Sequence, residues 1–590
     1  MTTGWAAKQD RVLPRLLRRQ ARDRPDAEFL RVEDGPVQSF AEVAAVADRI
    51  AGTLARLGVR PGDMVPLLVE TSAAAVAAWF AVNIAGAADV PLNTAYRGAS
   101  LAHGINLPGA RLLIANPAFL PRIAEVAAEL TTLEAVLLLD DDQVNEDDPP
   151  TGLGLRVLRL ADQRDLGGLG DLGGEADDGP APDPAELSYR DIASVLFTSG
   201  TTGPAKGVLM THAQTYAIAR EIVDGLRIGA DDVFYCFHPM FHMTRFGSVY
   251  VALLAGCPVV LDRRFDPAGF LDRARRFRAT ATIGHGPMLE AIYRQPERPD
   301  DADNPLRTIL TAPLPAQIAA DFERRFAVRA IDTWGMTEVT CVTMRPYDDE
   351  LRPGCCGRPR DDLLEVLIVD PETDEPVPTG QAGEITVRPR EPWVVTQGYL
   401  GMPELTVAAW RNFRFHSGDF GYLTEDGYLY FAERSGDRIR RRAENVSAYD
   451  IESAAARHPQ VLDCAAVGVP SEFDSDDDIK LCVVPAPGPA LDQADLIGHL
   501  VRTLPHYMVP RYIQLVAELP RTPTNKVQRQ VLRAAGTGPG VWDRVAAGVS
   551  VRAVADRELD REQLSPEQLS REQGQMRDGQ MRDGKRQEAP

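Results

Sequence analysis

The sequence has no long hydrophobic run, no closely spaced pair of cysteines with metal-site spacing and no excess of basic residues, and each absence removes a class of function. The longest apolar stretch, residues 73–90 of 590, is rich in alanine and interrupted by Asn83, Gly86 and Asp89. It falls short of the ~20 strongly apolar residues a membrane span requires, and reads instead as a buried helix followed by a strand. Residues 1–20 mix Lys8, Arg11, Arg15, Arg18 and Arg19 with isolated leucines, unlike the unbroken apolar segment of a secretory leader. The seven cysteines, Cys236, Cys257, Cys341, Cys355, Cys356, Cys464 and Cys482, are odd in number and scattered, with no C-x-x-C pair. That pattern predicts reduced thiols in a cytoplasmic chain rather than a disulfide framework or a structural zinc site. With 85 acidic against 64 basic residues the net charge is -21, so the mean field repels polyanions and argues against nucleic acid or an anionic membrane as partner. A phosphate-bearing ligand would need a local site.

What is present is a long chain with an α/β pattern. At 590 residues it exceeds the size at which one core stops growing, so more than one domain is expected. Amphipathic helical stretches (40–57, 72–85) alternate with short apolar runs (64–69, 110–114), which predicts parallel strands under helices. Residues 140–186 are acidic and rich in Gly and Pro, and read as a surface excursion. A second α/β block covers 187–325, and a strand-rich block with many turn residues covers 357–433. Charge-dense residues 434–442 then precede an amphipathic helix expected over 449–458. The expected organisation is a large N-terminal domain (1–433) of layered sheets with helices plus a strand-rich subdomain, a hinge (434–437), a small mobile α+β C-terminal domain (438–535), and a polar tail (536–590) carrying a tandem Gly-Gln-Met-Arg-Asp repeat.

One loop carries the chemistry. Residues 194–197 read as a strand, Thr198-Ser-Gly-Thr-Thr-Gly-Pro-Ala-Lys-Gly207 follows, and 208–210 resume a strand before Thr211 caps a helix bearing Tyr216, Ala219, Val223 and Leu226 on one face. Gly200, Gly203 and Gly207 let backbone N–H groups turn inward around an anion; Thr198, Ser199, Thr201 and Thr202 add hydroxyls, and Lys206 adds a mobile charge. That is a polyphosphate cradle. It is not a Walker A loop, because Ala205 and Gly207 flank the lysine where G-K-[S/T] is required.

With this loop, Thr333-Trp-Gly-Met-Thr-Glu338, His416-Ser-Gly-Asp-Phe-Gly421, Arg434 with Asp437 to Ile439, and Pro520-Arg-Thr-Pro-Thr-Asn-Lys526, the chain resembles the adenylate-forming superfamily of acyl-CoA synthetases, nonribosomal adenylation domains and luciferases. The resemblance covers about residues 10–535. Glu391-Pro-Trp393, Gln397-Gly-Tyr399 and Arg441-Arg-Ala-Glu-Asn-Val-Ser447 look closest to its crotonobetaine/carnitine-CoA ligase-like branch. The resemblance implies that ATP is bound by the cradle, that Glu338 holds Mg²⁺ with Thr337 beside it on the nucleotide phosphate, and that Trp334 stacks near adenine. It further implies that Asp419 and Arg434 take the ribose hydroxyls, that His242 borders the acyl pocket, and that Lys526 is catalytic in adenylation. Residues 284–287 and 311–315 are the other pocket-lining candidates.

The resemblance implies a small-molecule acid as substrate and CoA as the acceptor. Two departures bear on the acceptor: Gly436 stands where the hinge has Asp or Lys, and Ala443 where the branch has a glycine near the pantetheine path. A carrier-protein thiol, an amine, or nitrite activation for diazotisation of an aromatic amine therefore stay open beside CoA.

Overall fold

The structure is a computed structural model that describes residues 6–33, 35–139, 154–160, 186–198, 205–312, 314–434, 439–441, 444–446, 448–473, 476–521 and 527–553. It divides into two compact units, Met1–Ser447 with Pro470–Asp477, and Ala448–Val469 with Asp478–Pro590. The fold class is the α/β arrangement expected, with mixed sheets and covering helices.

The first unit is built on three large sheets, with a small two-stranded ribbon of Ile439–Arg441 and Glu444–Val446 besides. A seven-stranded sheet runs in the order Arg156–Arg159, Ala135–Leu138, Leu112–Ala115, Met64–Leu68, Ala88–Pro91, Ile192–Thr198, Lys206–Thr211. Its strands are parallel except for the last pair, an antiparallel hairpin. A nine-stranded sheet has a parallel centre, from Arg329–Met336 through Thr308–Thr311, Ala281–Gly284, Phe234–Cys236 and Val259–Leu261 to Glu28–Val32, with antiparallel strands at both edges. The third, of four antiparallel strands, spans Leu364–Val369 to Leu429–Arg434.

Helices enter where the sequence caps them. Phe40–Arg56 starts with a full capping box from Ser39 and Glu42, Ala73–Ile84 with Ser72, and His212–Leu226 with Thr211. One core joins Leu67, Ile114 and Leu137 of the first sheet, Phe29, Leu261 and Ile331 of the second, and Val76, Phe80 and Ile222 of the helices. Every cysteine is buried and free. Among the described residues no helix is long and apolar enough to cross a membrane.

Four expectations are corrected. The excursion expected over 140–186 contains a strand, Arg156–Arg159, which pairs in parallel with Ala135–Leu138 at the sheet edge and stays half-buried; a four-residue edge strand needs too little apolar surface to stand out. The loop expected over 198–207 is shorter, because the ladder runs on to Thr198↔Lys206 and Phe197↔Gly207, so Thr198 and Lys206 project from strands. The helix expected over 449–458 is Ala448–Ala455. The tail expected from residue 536 begins later: Val541–Asp543 pairs with Tyr512–Leu515, and Arg511 bonds the Asp543 carboxylate. Residues 554–590, with the tandem repeat, lie outside the described ones.

The second unit is a four-stranded sheet in the order Val461–Pro470, Asp477–Pro485, Tyr512–Leu515, Val541–Asp543, with helices Ala448–Ala455, Gln493–Thr503 and Arg529–Ala534. Lys480 is fully buried and donates to the carbonyls of Leu532 (3.2 Å) and Gly536 (2.6 Å), satisfying acceptors that the end of the helix Arg529–Ala534 leaves open. At its start Arg529 is 2.8 Å from Glu452.

Candidate functional site

The hairpin Ile192–Thr198/Lys206–Thr211 frames residues 199–204. Ser199, Gly200, Thr201, Thr202 and Gly203 lie outside the described residues, and so does Lys526. The frame itself is tightly specified. A Cβ at Gly207 would stand 2.9 Å from Val195, closer than packed atoms approach. Beyond the hairpin, residues 397–400 run alongside its second strand: Leu209 N–H donates to the Gly398 carbonyl (3.0 Å), Gln397 N–H to Leu209 (3.0 Å) and Leu400 N–H to Gly207 (2.8 Å).

That pairing delivers Tyr399 between Lys206 and Glu338. The Lys206 ammonium lies 4.9 Å from the centre of the Tyr399 ring, a cation–π distance. The Tyr399 hydroxyl donates to Glu338 Oε1 at 3.0 Å, and the Glu338 side chain is buried. Glu338 and Thr337 occupy the tip between the antiparallel strands Arg329–Met336 and Thr340–Met344. The tip needs glycine behind it, because a Cβ on Gly335 would be 2.0 Å from the Thr340 carbonyl oxygen. It is clamped from outside: Gln214 Nε2 donates to the carbonyls of Thr337 (2.9 Å) and Glu338 (3.2 Å), and Thr396 N–H donates to that of Glu338 (2.8 Å).

Thr337 leads on to His242. Its hydroxyl is 3.9 Å from the Met243 sulfur, and the neighbouring His242 accepts from Thr244 N–H at Nδ1 (3.4 Å), which puts the proton of a neutral ring on Nε2. His242 is one of three adjacent histidines. The His285 ring centre is 5.7 Å from that of His242 and 5.1 Å from that of His238. Burial holds His238 down at about 3, and burial together with the neighbouring histidines holds His285 well below the usual imidazole value.

Trp334, on the strand Arg329–Met336 of the same hairpin, meets Asp419 of the strand Phe415–Leu423 in the four-stranded sheet. The indole Nε1 donates to Asp419 Oδ2 at 3.1 Å, and Trp334 packs in a core with Met336, Val339, Leu364, Ile385 and Phe415. Asp419 is fully buried, and the Ser417 hydroxyl accepts from its N–H at 3.0 Å. Glu384 secures the preceding turn, accepting from Gly418 N–H (3.0 Å) and bonding His416 Nδ1 (2.9 Å). Arg434 lies directly across the ladder from Asp419 in backbone register; its side chain is outside the described ones. Near the pocket-lining segment 311–315, Asp332 accepts from Leu314 N–H (2.9 Å) and Thr311 (3.3 Å), and burial pushes its carboxyl up to about 7.

A hairpin carrying Lys206, the Glu338 carboxylate at a clamped tip and the buried Asp419 carboxylate therefore occur on one unit. The family model for AMP-binding enzymes matches residues 17–400, and that for the AMP-binding enzyme C-terminal domain matches 450–526. The chain belongs to the AMP-binding enzyme family. Among curated relatives, this AMP-binding enzyme is 29% identical over 500 residues to the crotonobetaine/carnitine-CoA ligase of Salmonella choleraesuis, covering 84% of this chain and 93% of that one. Among solved structures it resembles the o-succinylbenzoate CoA synthetase of Bacillus subtilis in fold (TM-score 0.74, 23% identity, 88% and 98% covered). It also resembles the amide bond synthetase McbA of Marinactinospora thermotolerans (TM-score 0.73, 25% identity, 88% and 99% covered).

Sequence reasoning named Lys206, Glu338, Thr337 and His242 separately, and the fold of this AMP-binding enzyme joins them into one line. It missed the connecting residues. In the sequence Tyr399 stands out only as part of Gln397-Gly-Tyr399, and Gln214 and Glu384 carry no local signal, since each bonds groups far away along the chain.

Proposed function

We propose that the chain is an AMP-forming acid–thiol ligase. An acid carboxylate oxygen attacks the α-phosphorus of ATP as the bond to pyrophosphate breaks. The CoA sulfur then attacks the acyl carbonyl, AMP leaves, and the thiol proton passes to solvent. The observation that carries this reading is the line from Lys206 through Tyr399 to Glu338, beside the hairpin that frames residues 199–204.

In this reading Thr198, Lys206 and the loop residues hold the polyphosphate, with the Lys206 charge steadied on the Tyr399 ring. Glu338 suits Mg²⁺, which takes one or two carboxylates together with phosphate oxygens and water, because the Tyr399 hydroxyl fixes one carboxylate oxygen and orients the other. The ion would offset charge at the phosphates. Asp419 and Arg434 take the ribose hydroxyls, and the Trp334 N–H fixes the Asp419 carboxylate that does so. His242 borders the acid. Lys526 lowers the repulsion between acid and α-phosphate; Arg521 and Val527, on either side of residues 522–526, pair in an antiparallel bridge. Residues 434–437 serve as the hinge between 1–433 and the small domain. Seven buried, unpaired cysteines suit a reducing cytoplasm.

The name and coverage of the curated relative support CoA as acceptor. The likeness to an amide bond synthetase supports a second reading, in which an amine captures the adenylate. One screen separates them: pyrophosphate and AMP release over short, long, aromatic and amino acids plus nitrite, each with CoA, with an amine, or alone. CoA-dependent AMP release establishes the first reading, and amine-dependent release without CoA replaces it with the second. In the same assay Lys526→Ala abolishes adenylate formation while keeping ATP binding; normal ATP–pyrophosphate exchange in that variant removes Lys526 from the step.

A further inference from the structure

Around His242, three polar atoms from two chain segments are buried with no hydrogen-bond partner: Nε2 of His238, Nε2 of His285 and Oγ1 of Thr244. His238 is 4% exposed and Thr244 5%. The segments face one another: the His238 and His285 rings are 5.1 Å apart, and a Cβ on Gly247 would stand 2.5 Å from Ile283. Buried polar groups are almost always paired, and an unmade bond here costs the group its full desolvation. Three such atoms beside the residue assigned to the acid's border form a set of donors and acceptors that a ligand can complete.

We propose, resting on the assignment of His242 to the acid pocket, that His238, His285 and Thr244 recognise a neutral hydrogen-bonding substituent, a hydroxyl, carbonyl or amide, carried by the acid away from its reacting carboxylate. A neutral imidazole offers one donor and one acceptor, and a threonine hydroxyl offers both, which matches such a group. A positive charge on the substituent fits less well: among the described residues the groups acting on the two rings are each other, His242 and, at His285, Arg440, none of them a carboxylate. A second carboxylate would be best met by protonated rings, which burial opposes.

The test uses the full-length protein with MgATP and measures pyrophosphate release on matched acids of equal length. One member of each set is unsubstituted, and the others carry a hydroxyl, an amide, a second carboxylate or a trimethylammonium group. The hydroxyl or amide member should exceed the unsubstituted one by about 100-fold or more in kcat/KM, since a site built to bond a polar group rejects the analogue lacking it. In His238→Leu, His285→Val and the double variant the ratio should fall toward one, with MgATP affinity by calorimetry retained. Equal or better use of the unsubstituted, dicarboxylate or cationic acid overturns the proposal, as does a ratio that survives in the folded double variant. If the variants do not fold, the ratio in the unmodified protein decides alone. Activation of unsubstituted acids only defeats this inference while leaving the ligase reading standing; no pyrophosphate release with any acid defeats both.

Discussion

Arg245 lies three residues beyond His242, and replacing it with Met should destabilise the large unit by an amount that depends on pH. Its guanidinium is 2.6 Å from the Asp89 carboxylate and 2.6 Å from the Ser194 hydroxyl, with side-chain exposures of 1% for Arg245 and 0% for Asp89. It also stacks 4.4 Å from the Trp79 ring centre and 4.7 Å from that of Phe246. Burial raises the Asp89 pKa and Arg245 opposes that rise. Without the arginine, Asp89 folds only as the neutral acid. Neutralising a carboxyl of ordinary pKa 3.8 at pH 7 costs about 1.4 × (7.0 − 3.8), or ~4 kcal/mol; this is the upper bound of the loss, since burial already raises Asp89 in the unmodified protein, and it falls within the ~3–5 kcal/mol seen when a buried pair loses one partner. The folded carboxyl then has the higher pKa, so this penalty is absent below about pH 4 and grows as pH rises; at pH 5 it is only ~2 kcal/mol. Urea unfolding followed by tryptophan fluorescence at pH 5 and pH 7 reads both values, and Asp89→Leu with Arg245→Met should recover most of the loss. A single-variant loss under about 1 kcal/mol at pH 7, or an equal loss at both pH values, would refute the reasoning.

Tyr399→Phe keeps the ring under Lys206 and removes the donor to Glu338; a bond to a charged group is worth ~1.5–3 kcal/mol, so adenylation should slow roughly 10-fold or more. ATP–pyrophosphate exchange measures it, and an unchanged rate removes Tyr399 from the site. Gly335→Ala drives a methyl into the Thr340 carbonyl, so both the thermal midpoint and exchange activity should fall; an unperturbed variant would show that the tip is not fixed there. Burial pushes the Glu221 carboxyl up to about 8, so its stabilising contribution is complete below about pH 4.5 and is lost as pH rises through 8. Glu221→Gln lacks this loss and should gain on the unmodified protein from pH 5 to pH 9 by ~1.4 kcal/mol per pKa unit, read by thermal unfolding; a pH-independent difference contradicts the shift.

Local signals carried much of the fold. Thr211 marked a helix start because a cap needs only its own side chain and the next turn, and the alanine-rich stretch at 73–90 resolves into the buried helix and strand its pattern implied. The motif residues were legible for a similar reason, being clustered along the chain. The strand Arg156–Arg159 and the strand Val541–Asp543 were not, because each is short and depends on a distant ladder partner. Tyr399 was hidden in the same way: its role comes from pairing with residues about 190 positions earlier, a distance over which local pattern carries no information. The unpaired atoms of His238 and His285 are a property of packing, invisible in the order of residues.

The segment from Gln397 to Leu400 has one more effect. Lys206–Thr211 is the last strand of the seven-stranded sheet, and the backbone bonds from residues 397–400 occupy its outer side. An open strand edge templates pairing with other chains. The hairpin that carries Lys206 is thus kept from self-association by a part of the chain made long after it, and during synthesis that edge is bare until nearly 200 further residues have emerged. Fragments ending before residue 397 would present this apolar strand to their neighbours, so the segment that brings Tyr399 to Lys206 and Glu338 also acts as a guard against aggregation of the nascent protein.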